Sequence, residues 1–319
     1  MLDHAEYVEQ AYLFDLLRQR AEEQIPTQEL LSQLRHELLT TTRLPMAVDY
    51  LLTELRHSGL MMPAMAKLSH YFSPFQTYLI GEAESESGRF LMPLALQILH
   101  FDACLRRDYV GQLTGQPSGG GVTSVSGKAP LPRMPARPAQ PTEEGALQQR
   151  LRSGFFFFQF ETLCRNRLGY DAGLTAMASD PAFDDDWKRW LLKLRAQVGL
   201  VDLADLLFLV SNEYRRQLQA AGEELSGKGP WLFGEREGRI ALANRRKDPT
   251  YLFGAMQRHL AYPPVPRPVR AKEDHDTIPK LLRRIERLES RIKLMEQEQK
   301  QSFDITQFSG PEQTSPLPD

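Results

Sequence analysis

Apolar residues recur three and four apart from residue 3 to about residue 109, and nothing in that region alternates with period two for long enough to argue a strand. Such spacing places the apolar side chains on one side of a helix, and a helix of that kind is stable only when packed on another element. The pattern therefore restricts this region to helix on helix. Ala5, Val8, Tyr12, Leu16 and Gln19 mark a first amphipathic stretch, thickened by Leu13, Phe14 and Leu17. Leu30, Leu31, Leu34 and Leu38 mark a second, opened by Thr27 after Pro26. Thr40 to Pro45 breaks it, because proline disfavours helical geometry in the residue before it. A third helix over 46–56 carries Val48, Leu51, Leu52 and Leu55, with Gly59 placed to cap its end. Ser73-Pro74 opens another, and a helix over 90–107 with Pro93 in its first turn completes the block.

Helical patterning returns from residue 144 to 262. Leu147, Leu151, Phe155, Phe158 and Leu163 form one face. Asp184, Asp185 and Asp186 put three carboxylates at the positive end of the next helix, which buries Trp187, Leu191, Leu194 and Val198. Asp202 caps a long apolar helix through Leu206, Leu207, Val210 and Tyr214, and short helices start at Gly234 and at Asp248-Pro249. The runs Phe155–Phe160 and Leu203–Val210 are apolar on every side, which favours one helical body shared by 1–110 and 144–262 over two small bundles.

Between these blocks, residues 111–143 are rich in Gly, Ser and Pro and hold almost nothing to bury, so a disordered linker is expected. Residues 263–277 form a Pro-rich spacer that favours extended geometry and holds the C-terminal helix away from the body. That helix, over 278–300, has a heptad seam: Ile278, Leu281, Ile285, Leu288, Ile292 and Met295. Ile at a with Leu at d favours two parallel strands, and Arg284 with Glu289 and Arg291 with Glu296 would pair attractively across them. Leu282 and Leu294 widen the stripe, so docking of this helix on its own body is the competing arrangement. The last segment, 301–319, is expected to be a disordered tail in which Phe303 and Phe308 could serve as a docking motif.

Composition narrows the function classes. A net charge of −2 gives no global attraction to nucleic acid or anionic membrane. The strongest apolar runs fall well short of the ~20 residues that span a bilayer. The acidic beginning lacks a signal-peptide pattern, and Cys104 and Cys164 lie far apart in apolar helices, so buried thiols in a cytoplasmic protein are expected.

Local motifs for catalysis fail on inspection. Around Gly127-Lys128 a phosphate loop would need glycine where Val122 stands and a hydroxyl where Ala129 stands, and then a helix rather than proline. Glu54-Leu-Arg-His57 has the Glu-x-x-His spacing of carboxylate-bridged metal bundles, but no second copy exists, and His57 fits a helix-end position. Asp180 with Asp184–Asp186 lacks the ligand spacing of a calcium loop. No cofactor is indicated. Two basic-aromatic clusters, Arg165 and Arg167 before Tyr170, and Arg245 and Arg246 before Tyr251, are weak nucleic-acid candidates. Met61, Met62 and Met65 form a soft stretch that serves either as core or as a plastic binding surface.

The sequence thus predicts an all-α protein with an interrupted helical body and a short C-terminal coiled coil. The expected function is non-enzymatic: a homodimeric interaction or scaffold protein with an unknown protein partner and no membrane partner. A helical enzyme or metal-binding bundle, with the histidines and Glu54 as first candidates, is the alternative.

Overall fold

The computed structural model describes residues 1–22, 27–85, 90–114, 141–225 and 229–268, and beyond them Ile285, Glu289, Ile292 and Lys293 singly. Among the described residues there are thirteen helices and no strand, so the chain is all-α. The first block holds α1 (His4–Glu22), α2 (Thr27–Leu34), α3 (Leu44–Ser58), α4 (Met62–Lys67), α5 (Pro74–Glu84) and α6 (Met92–Thr114). The second holds α7 (Pro141–Asn166), α8 (Tyr170–Ala178), α9 (Asp185–Gln197), α10 (Leu203–Leu209), α11 (Asn212–Ala220), α12 (Glu235–Ala243) and α13 (Pro249–Leu260).

Several ends are set by the residues the sequence points to. Gly59 adopts φ 74° and donates its N–H to the Leu55 carbonyl, closing α3. Ser73 and Gln76 form a reciprocal capping box at α5. Asp184 accepts from Trp187 N–H to cap α9, and Asp202 accepts from Ala204 N–H to cap α10.

Other expectations are corrected. In α1 the expected Leu13, Phe14 and Leu17 are buried, but the face is centred differently from the one read from periodicity: Ala5, Val8, Tyr12 and Gln19 are exposed, while Tyr7, Gln10 and Ala11 are buried. The cause is Gln10, a polar residue on the inner face because its amide bonds the Tyr71 carbonyl and the Gln76 side chain. The break before α3 ends at Arg43, since Pro45 fits within the first helical turn, where its missing N–H is no loss. The long helix expected after Asp202 is two, α10 and α11. Val210 O accepts from Leu232 and Phe233, and Asn212 N–H donates to Phe233 O, so the chain turns at a buried Ser211 that caps α11.

Helix α7 runs through the centre. Phe155, Phe156, Phe157, Phe158 and Phe160 are all buried, as an all-apolar helix surface requires. Phe156 meets Trp187, Trp190 and Phe233 with centroids 5.6, 5.1 and 5.7 Å away, within the range where edge and tilted aromatic pairs add to burial. In the first block α1 packs along α6, which also meets α5 and α7, while α5 meets α8. Met1–Pro268 is one compact unit, and Val269–Asp319 is a second.

The start of the Pro-rich spacer departs from the expected arm. Tyr262 and Val265 are buried, Tyr262 OH donates to Glu161 Oε2 at 2.6 Å, and Asn166 Nδ2 donates to Pro266 O. Tyr262 has a polar tip for Glu161 and an apolar ring for the core, and both are satisfied by lying on α7. Of the linker expected over 111–143, residues 111–114 instead end α6 and 141–143 begin α7, while 115–140, the spacer from 269 and the tail 301–319 lie outside the described residues.

Candidate functional site

The densest polar chemistry sits in the core, where both blocks meet. Asp102 and Arg106 stand one turn apart on the inner face of α6 and are 0% and 1% exposed. Arg106 Nε donates to Asp102 Oδ2 at 2.7 Å, Nη1 to Asp180 Oδ1 at 3.1 Å, and Nη2 to Asp180 Oδ2 at 2.5 Å and Ser73 Oγ at 2.9 Å. Its guanidinium lies 4.7 Å from the centre of the Phe155 ring. Gln76 Nε2 donates to Asp102 and to Gln10, and Gln159 Nε2 lies 3.4 and 3.5 Å from Asp102 and Asp180. Residues of α1, α5, α6, α7 and the α8–α9 connection thus share one network.

Its electrostatics are those of two carboxylates sharing one buried cation. Burial pushes the Asp102 carboxyl up, against the lowering pull of Arg106. For Arg106 burial acts downward, but Asp102 and Asp180 outweigh it and hold the guanidinium well above its ordinary value. The cation is therefore permanently charged and its charge already met. Such a cluster specifies how helices meet, since any other arrangement strands a buried ion.

An open, largely apolar pocket of about 230 Å³ lies between α7, α8, α10 and α13. Phe160 and Phe253 form its floor, with centroids 6.2 Å apart, and Tyr170 stacks on Phe160 at 6.1 Å. Leu206 and Val201 line its wall, and Cys164, whose thiol burial pushes up to about 11, lies beside Tyr170. Above it the Val198–Val201 turn holds Leu200 out at 84% exposure. The turn is fixed: Leu200 and Val201 both donate to Gln197 O, and Gly199 supplies the φ of 84° that it needs.

This pocket gathers the two basic-aromatic clusters, which are far apart in sequence. Arg165 and Arg167 end α7 between the lining residues Cys164 and Tyr170, and Arg246 N–H donates to the lining residue Asp202 at 2.6 Å. Arg165 is tied to Glu161 and Arg245 to Asp205, the latter with its guanidinium 4.6 Å from the Phe208 ring. Arg167, Arg246 and Lys247 are exposed, with no ion-pair partner among the described residues. Of the four candidates the structure leaves two, Arg167 and Arg246, open to a ligand.

Among the described residues no group of three or more His, Cys, Asp or Glu could hold a metal ion. Glu54 is paired with Lys67 at 3.0 Å, and its hydrogen bond holds the carboxyl below the ordinary value. Asp184, Asp185 and Asp186 pair with Arg152, Lys188 and Arg189. Met61 and Met65 are core residues, whereas Met62 is 38% exposed and lines an open groove of about 570 Å³ between α4 and α5. Cys104 and Cys164 are free thiols. Among the described residues no helix is long and apolar enough to cross a membrane.

Of the heptad seam, Ile285 and Ile292 are helical and 51% and 50% exposed, and Glu289 is helical and exposed. Ile278, Leu281, Leu288 and Met295, with Arg284, Arg291 and Glu296, lie outside the described residues. No family model, no curated protein and no solved structure matches this chain.

Proposed function

We propose that this chain is a non-enzymatic interaction or scaffold protein that pairs with a copy of itself through residues 278–295 and presents its helical body to a protein partner. The observation that carries the reading is the heptad seam, supported by Ile285 and Ile292, one heptad apart, helical and about half exposed. In a parallel pair these side chains enter holes on the partner helix. Covering an isoleucine fully contributes roughly 1.5–3 kcal/mol, so a few such positions hold a micromolar dimer together. A helical enzyme has weaker support, because the core's best acid-base constellation is spent on its own ion pairs.

Light-scattering mass during size-exclusion chromatography tests the proposal. The full chain is expected at twice its 36.5 kDa mass, and Ile285→Lys with Ile292→Lys at the single mass. A double variant that stays dimeric at micromolar concentration would refute the seam.

A further inference from the structure

Every residue from 262 to 268 is a proline or stands directly before one, in the order Tyr262-Pro263-Pro264-Val265-Pro266-Arg267-Pro268. Proline fixes its own φ, and it steers the residue before it to extended geometry, so this sequence sets a polyproline helix by local sterics alone. Such a helix has about three residues per turn and therefore three edges. Burial follows that period. Tyr262 and Val265, three apart, are 3% and 7% exposed, Pro263 and Pro266 are half-buried, and Pro264 and Arg267 are exposed. Pro268, next on the first edge, is exposed, and there the contact with the body ends.

The first edge is spent on the body. The Tyr262 ring stacks on Phe157 with centroids 6.5 Å apart and planes 6° from parallel, and its hydroxyl donates to Glu161 Oε2 at 2.6 Å and to Phe253 O at 3.2 Å. Val265 joins the hydrophobic core, and Asn166 Nδ2 donates to the Pro266 carbonyl at 3.3 Å. Among the described residues no other carbonyl of this segment accepts a hydrogen bond, and Arg267 has no ion-pair partner. Anchoring one edge of a rigid helix fixes the other two in one orientation towards solvent. Separating two parts of a chain does not require that; presenting a surface does.

We propose that residues 262–268 are a preformed polyproline ligand displayed on the helical body, and that the partner is a protein domain with a groove lined by aromatic side chains. Grooves of that kind recognise a Pro-x-x-Pro spacing, here Pro263 and Pro266 on one edge, with Pro264 and Arg267 on the next. A groove closes on the side it faces and leaves the far edge uncovered, and the far edge here is the one already held through Tyr262 and Val265. The proline rings pack on the groove's aromatic faces, the unbonded carbonyls accept from its indole or phenol groups, and Arg267 meets a carboxylate at its end. Binding orders little that is not already ordered, which lowers its entropic cost. The inference rests on the chain being an interaction protein and names its partner's chemistry; it does not depend on the seam.

The test is biolayer interferometry of the full chain over a panel of immobilised, purified SH3 and WW domains, whose grooves have this chemistry. At least one is expected to bind, with affinity falling at least about tenfold in Pro264→Ala with Arg267→Glu. Both positions are exposed, and matching thermal melts confirm that the variant is folded. Binding to no domain of the panel would overturn the proposal. Affinity kept in that variant would overturn it too, and would place the site in the other proline-rich stretch, 128–141. Tyr262→Phe, which removes the hydroxyl anchor, is expected not to raise the affinity. A gain there would mean that the segment binds only when lifted off α7, and would overturn its display on the body. The scattering mass, measured on the same samples, reports separately on self-association, so failure of one is not failure of the other.

Discussion

Replacing Arg106 with methionine removes the cation that Asp102 and Asp180 share while keeping most of the side-chain volume. The wild-type guanidinium makes four hydrogen bonds, three of them to carboxylates that are 0% exposed. Breaking a buried pair from one side costs about 3–5 kcal/mol, because the remaining carboxylates are left without a counter-charge. With a urea m-value of at least ~3 kcal/mol/M, that moves the unfolding midpoint by about 1 M. Asp180→Asn should be of the same order, since Asp180 binds Arg106 through both oxygens and also accepts from Ala182 N–H. Asp102→Asn should cost less than either, because Asp180 still meets the Arg106 charge through two hydrogen bonds. The asparagine carbonyl can still accept from Arg106 Nε, and exchanging O and N of the Gln159 amide gives the new donor an acceptor, the Gln159 Oε1 that is unpaired among the described residues.

The pH dependence has a definite sign. Asp102 titrates above its ordinary value in the folded protein, so the folded state binds the extra proton between the two values. Its contribution to stability is full below the ordinary carboxylate range and is lost as pH rises towards the folded value. Asp102→Asn should therefore flatten the stability profile over that window. Urea melts of the three variants at several pH values test the scheme. An Asp102→Asn variant as damaged as Arg106→Met, or Arg106→Met destabilised by less than about 1 kcal/mol, would refute it.

Two further outcomes are expected. A Cβ at Gly173 would lie 2.6 Å from Leu163 Cδ2 and 2.7 Å from Cδ1, so Gly173→Ala should destabilise by about 1–3 kcal/mol through overpacking of α7 against α8; an unchanged thermal midpoint would contradict this. Burial pushes the Cys104 thiol up to about 11, leaving roughly one thiolate in a thousand at pH 8, so alkylation should proceed only as fast as the body unfolds, and rapid labelling of the folded protein would refute that placement.

Much of the helical architecture is legible in the sequence because its signals are local. Gly59, Ser73, Asp184 and Asp202 end or begin helices through bonds to residues at most four away, and the α2 and α3 faces come from apolar spacing alone. Reading fails where a distant partner decides. Periodicity placed Leu13, Phe14 and Leu17 of α1 correctly but put Val8 and Tyr12 inside, because Gln10 looks like a surface residue until Tyr71 and Gln76 stand opposite it. Nothing near Ser211 announces that Leu232 and Phe233 will divide α10 from α11.

The candidate sites divide in the same way. Asp102 and Arg106, one turn apart on a face shared with Ile98 and Leu99, carry a readable sign of a buried pair, but Asp180 comes from the other block. Each basic-aromatic cluster is visible as a string of residues. Only packing brings Tyr170 and Phe253 to one pocket, ties Arg165 and Arg245 to carboxylates, and leaves Arg167 and Arg246 without an ion-pair partner among the described residues. The sequence by itself determined the all-α class, since backbone hydrogen bonding and helical spacing act within a few residues. The tertiary structure decided which charges are spent and which remain open, because desolvation and ion pairing depend on neighbours brought together across the whole chain.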